Sequence, residues 1–556
     1  MNLPSPALVT QSGARRLPRV ALLLLCAAYV LPGLFGRDPW RNADLVAFAQ
    51  MAGLAEGRTS WLAPTLGALP VPDLALLPHW LGAVFIIGLS PLIDPAMAAR
   101  VPFALLLVVT LVLTWHATFH LACTANAQPL PFAFGGEAEP EDYARAIADG
   151  ALLALIGTLG LLQLGHETTP ELAQLSGVCL FLYALAAAPF RVWQPRLAII
   201  GALVVLAGSG APSVAVALGL GGALVCARSA YAEARALVAW VVVATLAAAL
   251  VATALASWRW RGVALDLPAL LSIFRQWVWF LWPAWPFVVW TLWRWRDHLA
   301  HRHIAVPLTL VLVGLTANLL MAGSDRALML AVPAMAILAA FALPTFKRST
   351  SAAIDWFSMF FFTLCASTIW VVYIALHSGA PVKIAANMAR LLPGFVSEFS
   401  PWALTLAALG SGAWVWLVRW RTGRHRDALW KSLVLPAGGV ALCWLLAMTL
   451  WLPPIDYARS SRPWFERLSA HVPPGACVLA PGASTVTLAA LEHTGRYRID
   501  ARPASTDDLS CSYLLRVASR GERTGAPSAD WIRVAEFQRP RDRDEITTIY
   551  RRRSAP

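Results

Sequence analysis

The sequence predicts a mostly α-helical, polytopic transmembrane protein that ends in a small extramembrane α/β domain. Three observations carry this expectation. Of the 556 residues, 58% are hydrophobic and only 13% are charged, against roughly 25% charge in a soluble domain. The charge is also unevenly placed, and windows such as 236–256 carry none over a length that can cross a bilayer as a helix. Many of the 26 Trp residues stand at the ends of apolar runs, among them Trp258, Trp260, Trp277, Trp279, Trp293 and Trp295. An apolar ring with a wet N–H suits that interface. The net charge of +13 lies in loop-sized Arg clusters, which serve topology and anionic head groups rather than nucleic acid.

In chain order, residues 1–19 are polar and basic and 20–34 are apolar. No convincing cleavage site follows, so a retained first span is the better reading than a signal peptide. Arg15, Arg16 and Arg19 precede it, which places the N-terminus in the cytoplasm. Residues 37–97 then form a first periplasmic loop, with a short amphipathic helix over 44–56 and a longer apolar, interfacial one over 74–89. Further spans are expected at 98–120, 149–164, 171–188, 197–208, 213–227, 236–256, 277–293, 307–321, 328–344, 354–376, 402–418 and 432–452, about thirteen in all. This count puts the Arg-rich loops on one side, as the positive-inside rule asks. The transmembrane domain is therefore 1–452, and 453–556 is a periplasmic domain.

That last segment is rich in Arg, Asp, Glu and Ser. Its apolar strips at 477–480, 485–491, 513–517 and 531–537 read as strands with one or two helices. Cys477 and Cys511 lie there and are a plausible disulfide in an oxidising compartment. Cys26, Cys123, Cys179, Cys226, Cys365 and Cys443 sit in or beside apolar runs as lone thiols. No CxxC or Cys/His pattern suggests a metal site.

Polar residues without a topological task fall in two places. The first loop offers Asp38, Asp44, Asp73 and His79; the loop after the third span offers His166, Glu167 and Glu171. A carboxylate near the membrane surface can act as a general base on a hydroxyl, hold a divalent metal ion, or cap a helix. Asp44 stands where a helix begins, so base and cap are both open for it.

The segment "GRDPWRNADLVAFAQMAGLAEGRTSWLAPTLGALPVPDLALLPHWLGAVF", with "DPAMAARVPFALL" after it, resembles the first outside loop of the GT-C membrane glycosyltransferases. It is most similar to the branch of protein O-mannosyltransferases and the lipid A aminoarabinose transferase. The carrying residues are Asp44, Trp61 with Pro64, Leu66 and Gly67, then Trp80, then Ala98, Ala99, Arg100 and Pro102. The outer "WVWFLWPAWPF" entry and "SDRALMLAVPAMAIL" follow in the family's order. Three departures stand out. The acidic motif reads Asp44-Leu45 where the family has Asp-Glu. Residues 73–76, from Asp73, replace a Glu-Lys-Pro-Pro stretch whose Lys faces the donor phosphate. His166 and Glu171 hold the spacing of an Arg and an Asp.

The resemblance implies an inverting transferase that moves a sugar from a polyprenyl-phosphate donor to a lipid or protein acceptor at the periplasmic face. Asp44 takes the acceptor proton, and a cation stabilises the leaving phosphate. Arg100 is the first candidate for that cation, with Arg259, Arg261 and Arg326 behind it. No nucleotide donor is implied, and the chain has no Rossmann glycine motif. A lipid or sugar flippase and a non-catalytic relative of the transferases remain the alternatives; the lack of an internal repeat and the scarcity of charges within spans weigh against the flippase.

Overall fold

The computed structural model describes residues 5–71, 75–258, 266–423, 428–502, 511–519, 530–538 and 545–553. The chain forms two compact units. One comprises Met1–Pro32, Phe103–Ile369 and Trp402–Thr449; the other comprises Gly33–Pro102, Trp370–Pro401 and Leu450–Pro556.

The first unit is helical. Among the described residues, seven helices of the chain are long and apolar enough to cross a membrane, or eight if the bent pair Lys431–Ala447 and Leu452–Arg459 is one broken span. These make the chain an integral membrane protein. The count of about thirteen is not reached by helices of that length. Spans expected at 20–34, 197–208 and 213–227 fall on the shorter helices Arg19–Val30, Trp193–Gly208 and Pro212–Ala227. Two others are interrupted. Pro140–Gly157 ends at Thr158, whose backbone turns extended and whose hydroxyl donates back to the Ala154 carbonyl at 2.7 Å, before Leu159–Leu164 resumes. Leu267–Phe280 stops short of Pro283, which cannot donate a backbone bond, and Ala284–Arg294 follows. The two breaks meet: the Leu159 N–H donates to the Trp282 carbonyl at 3.0 Å. Backbone groups released from each helix thus find a partner where lipid supplies none.

Burial sorts the helices. The apolar window within Asp325–Thr345 is 100% buried, whereas those of Ala232–Ala254 and Pro401–Thr422 are 28% and 11% buried. The first is the core of its unit. The other two hold Leu246, Leu250, Leu409 and Trp416 outward, the surface a bilayer covers. Small residues let the core close. A Cβ on Gly314 would lie 2.8 Å from the Ala331 Cβ and 3.0 Å from its backbone nitrogen, so helix Arg302–Leu320 reaches Ala331 only through glycine.

The second unit is α/β. A hairpin of β1 (Thr65–Leu66) and β2 (Leu69–Pro70) turns at Gly67 and Ala68, both with positive φ near 60°. The Gly67 N–H donates to Glu492 Oε1 at 2.6 Å, and the Gly67 carbonyl accepts from the Ala501 N–H at 2.9 Å. A five-stranded sheet follows from β3 (Cys477–Leu479), β4 (Arg498–Asp500), β5 (Tyr513–Ser519), β6 (Trp531–Gln538) and β7 (Glu545–Arg552), in the order β4-β3-β5-β7-β6. β3 is parallel to β4 and β5, and β7 is antiparallel to β5 and β6. Of the four strips, 485–491 is the helical one, Thr485–Gly495, and Ser484 caps it by accepting the Thr487 N–H. It forms the crossover between β3 and β4 that parallel pairing requires.

Helix Ala43–Ala55 of the first loop belongs to this unit. It is not amphipathic as expected: Asp44, Leu45 and every residue from Ala47 to Leu54 are buried. Its Leu45 and Ala49 join Trp464, Val478, Leu488 and Leu491 in one apolar core with Leu515 and Ile549 of the sheet.

Cys477 and Cys511 are paired across the edge of β3 and β5, with Cα atoms 4.7 Å apart and a sequence separation of 34. Closing such a loop stabilises a fold by about 4 kcal/mol in the chain-entropy relation. Alkylation of the denatured, unreduced protein should leave both thiols unmodified, and Cys477→Ser should lower the midpoint of unfolding of the full chain. Two reactive thiols before reduction would refute the pairing.

Candidate active site

The short stretch before helix Ala43–Ala55 packs charge unusually densely. Arg37, Asp38, Trp40, Arg41 and Asp44 follow one another in eight residues, and the chain turns into the helix at Asn42 with φ +80, a conformation Asn tolerates better than most. Asp44 lies in the first helical turn. Its Oδ2 accepts from Arg37 Nη1 at 2.8 Å and from the Trp40 N–H at 3.0 Å. The two charged side chains are 1% and 2% exposed. Arg37 Nε donates onward to the Gly33 carbonyl at 2.8 Å. The cap position belongs to Asn42, and the Asp44 carboxylate bonds backward to the approaching chain. Holding a charge in such a place without its partner costs several kcal/mol, so the pair is a built feature.

Around it stands a second layer from the start of the C-terminal segment. Arg37 and Arg459 both lie over the Trp40 ring, 4.6 and 5.0 Å from its centroid. Asp456 Oδ1 accepts from Trp40 Nε1 at 3.0 Å and from the Asp38 N–H at 2.9 Å. The Asp38 carboxylate is gripped in turn by Arg462 Nε at 3.0 Å and the Ser460 hydroxyl at 2.7 Å. Arg41 donates to Glu545 of β7 at 2.9 Å, and its N–H to the Arg459 carbonyl at 2.8 Å.

Arg100 completes the group. It is 4% exposed, and the charges of Asp44, Asp94, Asp456 and Arg37 all act on it. Its Nη1 makes a long 3.4 Å bond to the Leu34 carbonyl, and its Nη2 is buried with no hydrogen-bond partner among the described residues. A guanidinium N–H left in that state is costly, and an incoming anion would satisfy it. His79, on helix Leu76–Leu89, is also buried. Asp73, Arg259 and Arg261 lie outside the described residues.

In the first unit the expected pairing of His166 with Glu171 takes a different form. Glu167 and Glu171 both converge on Arg326, at 2.5 and 3.4 Å, and Thr169 Oγ1 accepts from the same guanidinium at 2.9 Å. His166 instead faces the carbonyls of Leu162 and Tyr29 at 2.6 and 2.9 Å and packs on Trp444. His166 and Glu167 lie in the connection between helices Leu159–Leu164 and Pro170–Ala187, and its turn brings Glu167 beside Glu171 of the next helix's first turn while His166 faces the other way. Arg326 is thus committed to two carboxylates, in contrast to Arg100. Among the described residues no three His, Cys, Asp or Glu side chains gather as a metal site.

Sequence reasoning singled out Asp44, Arg100 and Arg326 but not Arg37, Trp40, Asp456, Arg459 or Arg462. The spacing of Arg37, Asp38, Trp40, Arg41 and Asp44 was a usable signal for part of this set, because those residues recur at intervals of three and four. No local pattern marks Asp456 as their partner.

No family model matches the chain, and no curated protein matches it. Solved structures do. The chain is similar to the crystal structure of ArnT from Cupriavidus metallidurans bound to undecaprenyl phosphate, with 14% identity, a TM-score of 0.56, and 96% of this chain and 97% of that one covered. The apo crystal structure of the same protein gives 15% identity, a TM-score of 0.58, and coverage of 95% and 96%. The likeness covers nearly the whole of both chains, and the chain therefore has the fold of ArnT.

Proposed function

We propose that the protein is an inverting glycosyltransferase that moves a sugar from a polyprenyl-phosphate donor to a lipid or protein acceptor at the periplasmic face. The observation that carries this reading is the combination of the buried Arg37–Asp44 pair with a buried Arg100 nitrogen that lacks an acceptor. It occurs on the fold of a protein crystallised with undecaprenyl phosphate. In this mechanism the acceptor hydroxyl gives its proton to the Asp44 carboxylate and its oxygen bonds to the anomeric carbon. The bond from that carbon to the lipid phosphate oxygen breaks, and the electron pair leaves with the phosphate. Arg100 meets the charge that develops on the leaving oxygen, which is where fixed donors accelerate such a step. Arg37 holds the carboxylate in place through bonds that need no rearrangement.

A non-catalytic relative is the second reading. The ion pairing of Arg326 by Glu167 and Glu171 favours it, because a cation so compensated has less charge to offer a phosphate. Turnover of a polyprenyl-phosphate sugar by the purified protein separates the two.

Asp44→Asn should abolish turnover in protein that still folds, with a loss of stability because the buried Arg37 guanidinium is left without its counter-charge. Retained turnover would remove the base assignment. Arg37→Ala should likewise lose about 3–5 kcal/mol of stability, the cost of stranding a buried charge. The double variant should be less destabilised than the sum of the two. The proposed topology is checked separately. A reporter active only in the cytoplasm should be silent when fused to the C-terminus, and a strong signal would reverse the assigned face.

A further inference from the structure

Helix Pro170–Ala187 carries Glu171 in its first turn and Tyr183 in its last. At the Tyr183 end a cavity of about 460 Å³ opens, far from Glu171 and Arg326 and unused by the proposed reaction. Its wall is one face of helix Pro95–Ala122, with Trp115, His116, Phe119 and His120, set against Tyr183 and Arg191. The rings are arranged as a platform. Trp115 stacks on Phe119 with centroids 5.6 Å apart, and His120 stacks on Phe190 at 5.6 Å and meets Tyr183 at 5.9 Å.

The polar groups are mostly donors awaiting an acceptor. Among the described residues the side chains of His116, His120 and Arg191 make no hydrogen bond. Gln194 has only a 3.5 Å contact from the Tyr183 hydroxyl. Arg145 is paired with Glu141 on the same wall, so those charges cancel and Arg191 remains. The rim beside Arg191 is apolar and open: Phe190, Val192 and Trp193 are 42%, 56% and 65% exposed. A cation next to bare aromatic and aliphatic surface is the setting in which an amphiphile binds, charge inward and chains along the rim. An Arg that merely marks the membrane interface needs no cavity behind it; this one has a cavity of ligand size.

We infer that this cavity binds a phosphate-bearing head group. The phosphate oxygens accept from Arg191 and from the N–H groups of His116 and His120, and the polyol or sugar next to the phosphate lies on the aromatic platform. The inference is independent of the transferase reading, since it uses none of its residues. The same chemistry is offered by an anionic phospholipid and by a soluble phosphate ester.

The full chain in a neutral maltoside detergent tests it by thermal unfolding against phosphatidylglycerol, phosphatidylcholine and inorganic phosphate. Phosphatidylglycerol should raise the midpoint. Arg191→Gln and His116→Phe should each require at least about tenfold more lipid for the same rise, the effect of losing one bond to a charged group. Arg196→Gln, whose guanidinium lies over the Trp193 ring outside the cavity, should behave as the parent. An Arg191-dependent rise with inorganic phosphate would support the phosphate site and assign it to soluble esters. Equal responses from the parent and both cavity variants, or an equal loss in Arg196→Gln, would overturn the proposal by reducing the effect to surface charge.

Discussion

The bond between Arg37 and Asp44 sets the terms for the rest of the second unit. Two opposite charges lie almost wholly out of water, a state tolerable only when both are paired and their remaining polar groups are engaged. The Trp40 N–H and the Gly33 carbonyl supply those engagements, which fixes the path of the chain between Gly33 and the helix. Trp40 is then held by Asp456, and Asp38 by Arg462 and Ser460. One buried pair therefore dictates where the first loop and the beginning of the C-terminal segment must meet.

A different constraint governs the first unit. Lipid offers no hydrogen bonds, so every interruption of a helix must be repaired by protein. The interruptions at Thr158 and ahead of Pro283 repair each other through the Leu159–Trp282 bond. Around them the burial gradient runs from the window within Asp325–Thr345, enclosed on all sides, to Pro401–Thr422, nearly bare. Both helices are apolar enough to cross a membrane, and they differ in how far the protein encloses them.

This difference explains what was legible from sequence. The membrane class and the α/β character of the C-terminal segment could be read, because apolar length and a shift to polar composition are local signals. Arg37 was hidden because a positive residue flanking a span already has an explanation. Asp456 was hidden because its partner Trp40 is 416 residues away. One or two of the end-domain strips were expected to be helical without a choice among them, and the Ser484 cap makes that choice for Thr485–Gly495. The count of spans failed where hydropathy stayed high across a break in the backbone, which hydropathy does not register.

The sheet domain shares its apolar core with Leu45 and Ala49, the residues on the turn that follows Asp44. The same hairpin that carries Gly67 is bonded to Glu492 and Ala501. The sheet therefore shares one apolar core with the helix that carries Asp44. It is the bearing in which the carboxylate helix turns. Sequence drift in its core, even at Leu488 or Ile549, would be transmitted as a displacement of Asp44, and a chimera that exchanged residues after 450 alone would have to rebuild that bearing from two mismatched halves.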